Sequence, residues 1–141
     1  MGKILKKGKV VILTTGRHAG KKAIIVKTYD EGHKSRKFPC ALVTGLAEQP
    51  RKVTSAMGKK KVESKVNKLK PFVKYVNFVH VMPTRYQVDL DFKDIITGDE
   101  VTTDQKKALK KVFVDRYLNQ SEAKSDKAFN GAKFFYQKLR F

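Results

Sequence analysis

Short apolar runs rich in β-branched residues, divided by glycine-containing polar stretches, fill residues 1–81, after which apolar positions recur at helical spacing. Lys9-Val10-Val11-Ile12-Leu13 and Ala23-Ile24-Ile25-Val26 are too short for helices, and each predicts a strand. Between them, Gly16 and Gly20 stand at turn positions, which predicts a hairpin with a basic tip formed by Arg17, His18, Lys21 and Lys22. Asp30-Glu31-Gly32 is a turn signal ending the second strand. A third strand is predicted over 40–46, broken at Gly45 and bracketed by Pro39 and Pro50, and a short fourth at Arg51-Lys52-Val53-Thr54. Residues 72–81, dense in aromatic and β-branched side chains, give the strongest strand signal. Val62, Val66 and Leu69, at spacings of four and three, put a narrow apolar stripe on a basic helix over 57–69 that ends before Pro71. No helix of crossover length separates the first three strands, so a parallel βαβ arrangement is excluded in favour of a small barrel.

Beyond Met82-Pro83 the pattern changes. Val88 and Leu90 alternate with Asp89 and Asp91, and Thr97-Gly98-Asp99-Glu100 predicts a turn. Thr103 or Asp104 can cap a helix through Tyr117, with Leu109, Val112, Phe113 and Tyr117 on one side and Lys106, Lys107, Lys110 and Lys111 on the other. Residues 129–141 interleave Phe129, Phe134, Phe135, Tyr136, Leu139 and Phe141 with Lys133, Lys138 and Arg140. Phe134 and Phe135 read as packing anchors, whereas Phe141 could reach a neighbouring protein or RNA groove. The fold class is therefore mainly β with an α extension: a barrel over 1–90 with an inserted basic helix near 57–69, then a helical extension and tail over 91–141. Residues 119–141 are expected to be loosely held in the free protein and open to limited proteolysis.

Charge sharpens this picture. Lys and Arg total 32 against 13 Asp and Glu in 141 residues, a net charge of +19. Residues 1–27 contain Lys3, Lys6, Lys7, Lys9, Arg17, Lys21, Lys22 and Lys27 but no acid, and residues 51–74 contain Glu63 alone among their many cations. Residues 75–104 are net acidic. Such a field concentrates a polyanion, with nucleic acid the first expectation and an anionic membrane the second. The self-repulsion predicts a stability that depends partly on an anionic partner. Cys40 is the single cysteine, which rules out an internal disulfide, suggests a reducing compartment and reads as a small buried side chain in an apolar run. No apolar run approaches the roughly 20 residues of a membrane span, no signal peptide is evident, and Lys6 stands where a myristoylation motif at Gly2 needs Ser or Thr.

Enzymatic chemistry finds little support. Gly16-x-x-x-Gly20-Lys21-Lys22 is one residue short of a P-loop and has Lys22 in place of Ser or Thr. His18, His33 and His80 lack metal-ligand spacing. Asp89 and Asp91 could share a strand face and bind Mg²⁺, but salt bridges with nearby cations fit them better. No enzyme activity, cofactor, metal or small-molecule substrate is expected.

Gly8-Lys9-Val10-Val11-Ile12-Leu13 with Gly16-Arg17-His18-Ala19-Gly20-Lys21-Lys22-Ala23-Ile24-Ile25-Val26 resembles the KOW motif of SH3-like barrels in ribosomal proteins and transcription elongation factors. Together with Arg51-Lys52-Val53-Thr54, Met57-Gly58-Lys59-Lys60-Lys61, Met82-Pro83-Thr84-Arg85-Tyr86 and the terminal Gln137-Lys138-Leu139-Arg140-Phe141, it is similar to the eukaryote-type large-subunit ribosomal protein twenty-seven family. That family is unrelated to the bacterial protein sharing its number. The resemblance implies an SH3-like (KOW) barrel that binds ribosomal RNA of the large subunit, with neighbouring ribosomal proteins as further partners. It also implies residence in cytoplasmic ribosomes after nucleolar passage during assembly. It carries RNA contacts onto Arg17, His18, Lys21 and Lys22, onto Lys59, Lys60 and Lys61, and onto Arg85, but none onto 31–39 or 123–133. On charge and placement, Lys3, Lys6, Lys7, Arg51, Lys52, Lys65, Lys68 and Arg140 complete the expected RNA-binding set. Two rival readings stand beside it: a KOW-containing transcription or translation factor acting as a transient interaction module, and a membrane-surface protein using residues 104–118 as an amphipathic helix.

Overall fold

A computed structural model of the chain describes residues 3–92, 94–96, 101–119 and 126–140. Gly2, the turn expected at 97–100 and Phe141 lie outside the described residues, as does the side chain of Phe129. Five strands, β1 (Lys9–Leu13), β2 (Lys22–Tyr29), β3 (Cys40–Glu48), β4 (Lys70–Asn77) and β5 (Val81–Gln87), form one antiparallel sheet in the order β4-β3-β2-β1-β5. Helix α1 (Lys59–Val66) links β3 to β4, and α2 (Thr103–Leu118) and α3 (Asp126–Tyr136) follow the sheet.

Both faces of this sheet are apolar, which explains why β1 to β3 read as continuous hydrophobic runs. On one face, Val11, Leu13, Ala23, Ile25, Ala41, Val43, Phe72, Val76 and Val81 form a single cluster fed by every strand. Phe72 and Val76 come from one edge of the sheet and Val81 from the other, so the sheet is rolled into a barrel-like form around them. Register shifts at Lys9/Val11, Ile25/Lys27 and Leu46/Glu48 supply bulges that permit the curvature. On the outer face, Val10, Ile24, Val26, Leu42 and Leu46 join Val66, Phe92, Leu109, Phe113, Phe135 and Tyr136 in a second cluster. The helices therefore share a core with the barrel. The edge strands β4 and β5 alternate between covered and exposed positions.

Several expectations need correction. The fourth predicted strand, at 51–54, is irregular chain: Arg51, Lys52 and Thr54 are exposed, and Pro50 interrupts the hydrogen-bonding backbone as β3 ends. The apolar run 72–81 is not one strand: β4 ends at Asn77, whose side chain accepts from Val79 N at 3.1 Å and caps a 3₁₀ turn over Phe78–His80, and only Val81 belongs to β5. Met82-Pro83-Thr84-Arg85-Tyr86 consequently lies within β5, where Pro83 is tolerated on an edge strand. Finally, α2 is capped by Thr102, in a capping box: Gln105 N donates to Thr102 Oγ1 at 3.3 Å, and Thr102 N donates to Gln105 Oε1 at 3.2 Å. Residues 88–91 form no strand, and the basic helix is shorter than 57–69.

The chain end is docked, with Phe135 and Tyr136 buried. The Tyr136 hydroxyl donates to Phe113 O at 2.7 Å, and burial pushes its phenol well above the usual range. Phe135 packs on Phe113 with ring centroids 5.6 Å apart. Gly131 lets α3 lie directly on β5, since a Cβ there would sit 2.2 Å from Gln87 O.

Candidate nucleic-acid interface

The β1–β2 loop owes its shape to Gly16 and Gly20, whose φ values of 88° and 75° are strained for other residues. Gly20 N donates to Leu13 O at 2.7 Å, closing the loop. His18 folds back and stacks on Phe72, with ring centroids 4.0 Å apart and planes within 5°. Burial, followed by Arg17, Lys74 and Lys21, pushes the His18 imidazole below its ordinary value. His18 shapes the tip through its stack on Phe72. Lys74 of β4 joins the tip, its ammonium 3.2 Å from where a Cβ on Gly16 would stand.

Lys22 departs from the sequence expectation. It is only 2% exposed, and its ammonium donates to Phe134 O at 2.7 Å and Gln137 O at 2.8 Å. The same nitrogen lies 3.8 Å from the centroid of the Phe134 ring. Burial pushes its pKa down. Successive strand positions face opposite ways, and Lys22 shares the helix-covered face with Ile24. It is thereby withdrawn from any surface anion, while Lys21 remains at the surface. Phe134 stacks in turn on Tyr86 at 4.3 Å, and Arg85 donates to the Tyr86 hydroxyl at 3.0 Å while remaining exposed.

Beside the tip lies a cleft of about 850 Å³, lined by Lys21, residues 47–52, residues 136–138 and Arg140. It gathers Lys21, Arg51, Lys52, Lys138 and Arg140 from three distant parts of the chain. Its one lining acid among the described residues, Glu48, accepts from Lys70 Nζ at 2.7 Å, and that hydrogen bond chiefly holds its carboxyl below the usual range. None of the five cleft cations forms a close ion pair with a carboxylate among the described residues, although Arg51 and Lys21 act on Glu48 from further off. Lys65 Nζ donates to Lys52 O at 3.4 Å, tying α1 to the cleft rim. Lys59, Lys60, Lys61 and Lys68 are exposed on or just after α1. Lys138 and Lys74 were not in the expected set.

The other expected cations lie elsewhere. Lys3 pairs with Asp30, and Lys7 with Asp91 at 2.9 Å, both in solvent, where such pairs contribute about 0–1 kcal/mol. Lys6 is exposed. Asp91 thus has a cation partner, Arg116 donates to the Asp89 carbonyl at 2.8 Å, and no metal-holding group of three His, Cys, Asp or Glu occurs among the described residues. Cys40 is fully buried, and that burial pushes its thiol up. Helix α2 turns Leu109 and Phe113 into the core, the apolar side that a membrane-surface role would need outside. No described helix is long and apolar enough to cross a membrane.

Barrel-like sheet, helical cover and basic cleft define a small, mainly β, cationic scaffold. The sequence matches the Ribosomal L27e protein family over residues 10–141, and the chain belongs to that family. It is 48% identical to the large ribosomal subunit protein eL27 of Tetrahymena thermophila, 45% to that of Candida albicans and 44% to that of Caenorhabditis elegans. Each comparison covers 100% of both chains.

Proposed function

We propose that this chain is a structural constituent of the large ribosomal subunit, and that it binds ribosomal RNA by neutralising and bridging phosphates across the cleft. The single observation that carries the RNA contact is the convergence of Lys21, Arg51, Lys52, Lys138 and Arg140 on one opening whose only acid among the described residues is already paired. Fixed cations facing one another can hold two phosphates from different turns of RNA, which contiguous cations on one flexible segment do less well. Arg17 and Lys74 extend this surface at the tip, and Lys59, Lys60, Lys61, Lys65 and Lys68 extend it along α1. Lys3, Lys6, Lys7 and Arg85 are peripheral contributors. His18 contributes loop shape, and Lys22 makes no phosphate contact. The working location is the cytoplasmic ribosome, with neighbouring ribosomal proteins as further partners and nucleolar passage during assembly.

The test is a salt titration of the full chain with a fragment of large-subunit ribosomal RNA. If about eight phosphates are neutralised, log affinity falls against log salt with a slope of roughly −6 to −7. A slope shallower than about −2 overturns the mechanism. A constituent also stays with purified large subunits through a high-salt wash, whereas release would favour a transiently bound factor.

A further inference from the structure

We infer that Lys22 is a positioning residue of the cleft: its buried ammonium clamps the C-terminal turn of α3 to the sheet and so sets the wall that carries Lys138 and Arg140. The functional half of this inference rests on the proposed RNA reading, while the clamp stands on geometry alone. The last carbonyls of a helix have no partner within it and form the negative end of its dipole. Lys22 meets Phe134 O in the last turn at 2.7 Å, which also accepts from Gln137 N at 3.3 Å, and Gln137 O just beyond the helix at 2.8 Å, although they lie 112 and 115 residues away in sequence. The Phe134 ring beneath the ammonium adds a cation–π contact at 3.8 Å, and Tyr86 of β5 stacks on the same ring at 4.3 Å.

A buried lysine without a carboxylate partner is costly in a protein interior, so its presence calls for a specific job. The placement supplies one. Gln137, whose carbonyl the ammonium grips, itself lines the cleft and is followed directly by Lys138. Lys21, the neighbour of Lys22, lines the cleft as well. One dipeptide thus provides a cation to the cleft and the tie that holds the C-terminal wall in register with it. The backbone between two adjacent residues then fixes the separation of those cations.

The test uses the full chain carrying Lys22→Met, which keeps an apolar stem and removes the donors. In the free protein, amide exchange at 134–140 is expected to speed up by at least about tenfold while β1 to β3 keep their protection. With a large-subunit ribosomal RNA fragment, the salt slope should shrink by about 2, the share of two cations. Lys138→Ala with Arg140→Ala should reproduce that smaller slope without faster exchange, and adding Lys22→Met to the pair should then cost little more affinity. Unchanged exchange at 134–140 overturns the clamp, whatever the RNA does. Faster exchange with an unchanged slope leaves the clamp standing and overturns the cleft as the RNA site. Should Lys22→Met fail to fold, the wild-type side chain decides: its ammonium protons should exchange at least about tenfold slower than those of Lys21. Equal rates overturn the inference.

Discussion

The cleft and helix α1 concentrate cations of the same kind by opposite means. In the cleft, Lys21 follows the glycine-shaped loop, Arg51 and Lys52 follow β3, and Lys138 and Arg140 follow α3, so the sheet and its docked helix hold them in place. In α1 the lysines are consecutive, the Gly58 cap offers no side chain, and no acid stands in the first turn. Lys59, Lys60 and Lys61 therefore crowd the positive end of the helix dipole, and Lys61 and Lys65 repel one another at i, i+4. The fold holds the cleft cations in fixed places, whereas α1 is a helix that an anion would improve. Density of charge and fixation of charge are thus separate properties, and the proposed function depends more on the second.

The largest expected effect breaks the two surfaces apart. Arg51→Glu with Lys52→Glu and Lys60→Glu with Lys61→Glu change the net charge equally, so a purely diffuse field predicts equal losses of RNA affinity. Fixed facing cations predict otherwise: a loss of about 100-fold or more for the cleft pair and roughly 10-fold for the helix pair, at about 0.1 M salt. Fluorescence anisotropy with one large-subunit ribosomal RNA fragment measures both. Equal losses would erase the distinction.

A smaller effect reads the same contrast through His18. Its lowered pKa is due first to burial against Phe72 and then to Arg17, Lys74 and Lys21. Below the ordinary value of 6.5 the unfolded chain takes up the proton before the folded loop does, so acidification through that range removes stability. The His18 contribution is complete above 6.5 and is lost as pH falls through the folded pKa; a His18→Gln variant should show less of this loss in urea unfolding at successive pH values. Nuclear magnetic resonance titration should find that Lys74→Gln raises the His18 pKa, whereas Lys60→Gln leaves it in place. A response to Lys60→Gln would mean that the two surfaces share one field.

These differences mark what the sequence could and could not convey. The hairpin, its glycines and the lysine run were legible because each is local: turn chemistry, β-branched runs and charge density act within a few residues. The five-strand count held for a mixed reason, since 51–54 proved irregular and β5, at Val81–Gln87, lay almost wholly beyond the run 72–81 read as the last strand. A side chain capping a 3₁₀ turn, Asn77 onto Val79 N, divided that run. The cleft was illegible as a place, although Lys21, Arg51, Lys52 and Arg140 were each expected to bind RNA. Convergence of residues on both sides of a hundred-residue separation is a property of topology. The burial of Lys22 was illegible for a related reason: with both faces of β2 apolar, alternation alone cannot tell which neighbour of a lysine pair is buried.

The smallest expected effect isolates the helix that an anion would improve. Gly58 has φ −67° and ψ 157°, the extended backbone of an N-cap, and a Cβ there would meet nothing within 4 Å. Gly58→Asp should therefore cap α1 without strain and stabilise the free protein by a few tenths of a kcal/mol, about the usual difference between these caps. On the proposed reading the same carboxylate occupies the positive helix end that a phosphate would otherwise use, so RNA affinity should fall by about two- to threefold. Denaturant unfolding and anisotropy on one preparation give the two signs. Opposite signs place α1 among surfaces that RNA completes; a gain in both would make it an ordinary solvated helix and leave the cleft as the main contact.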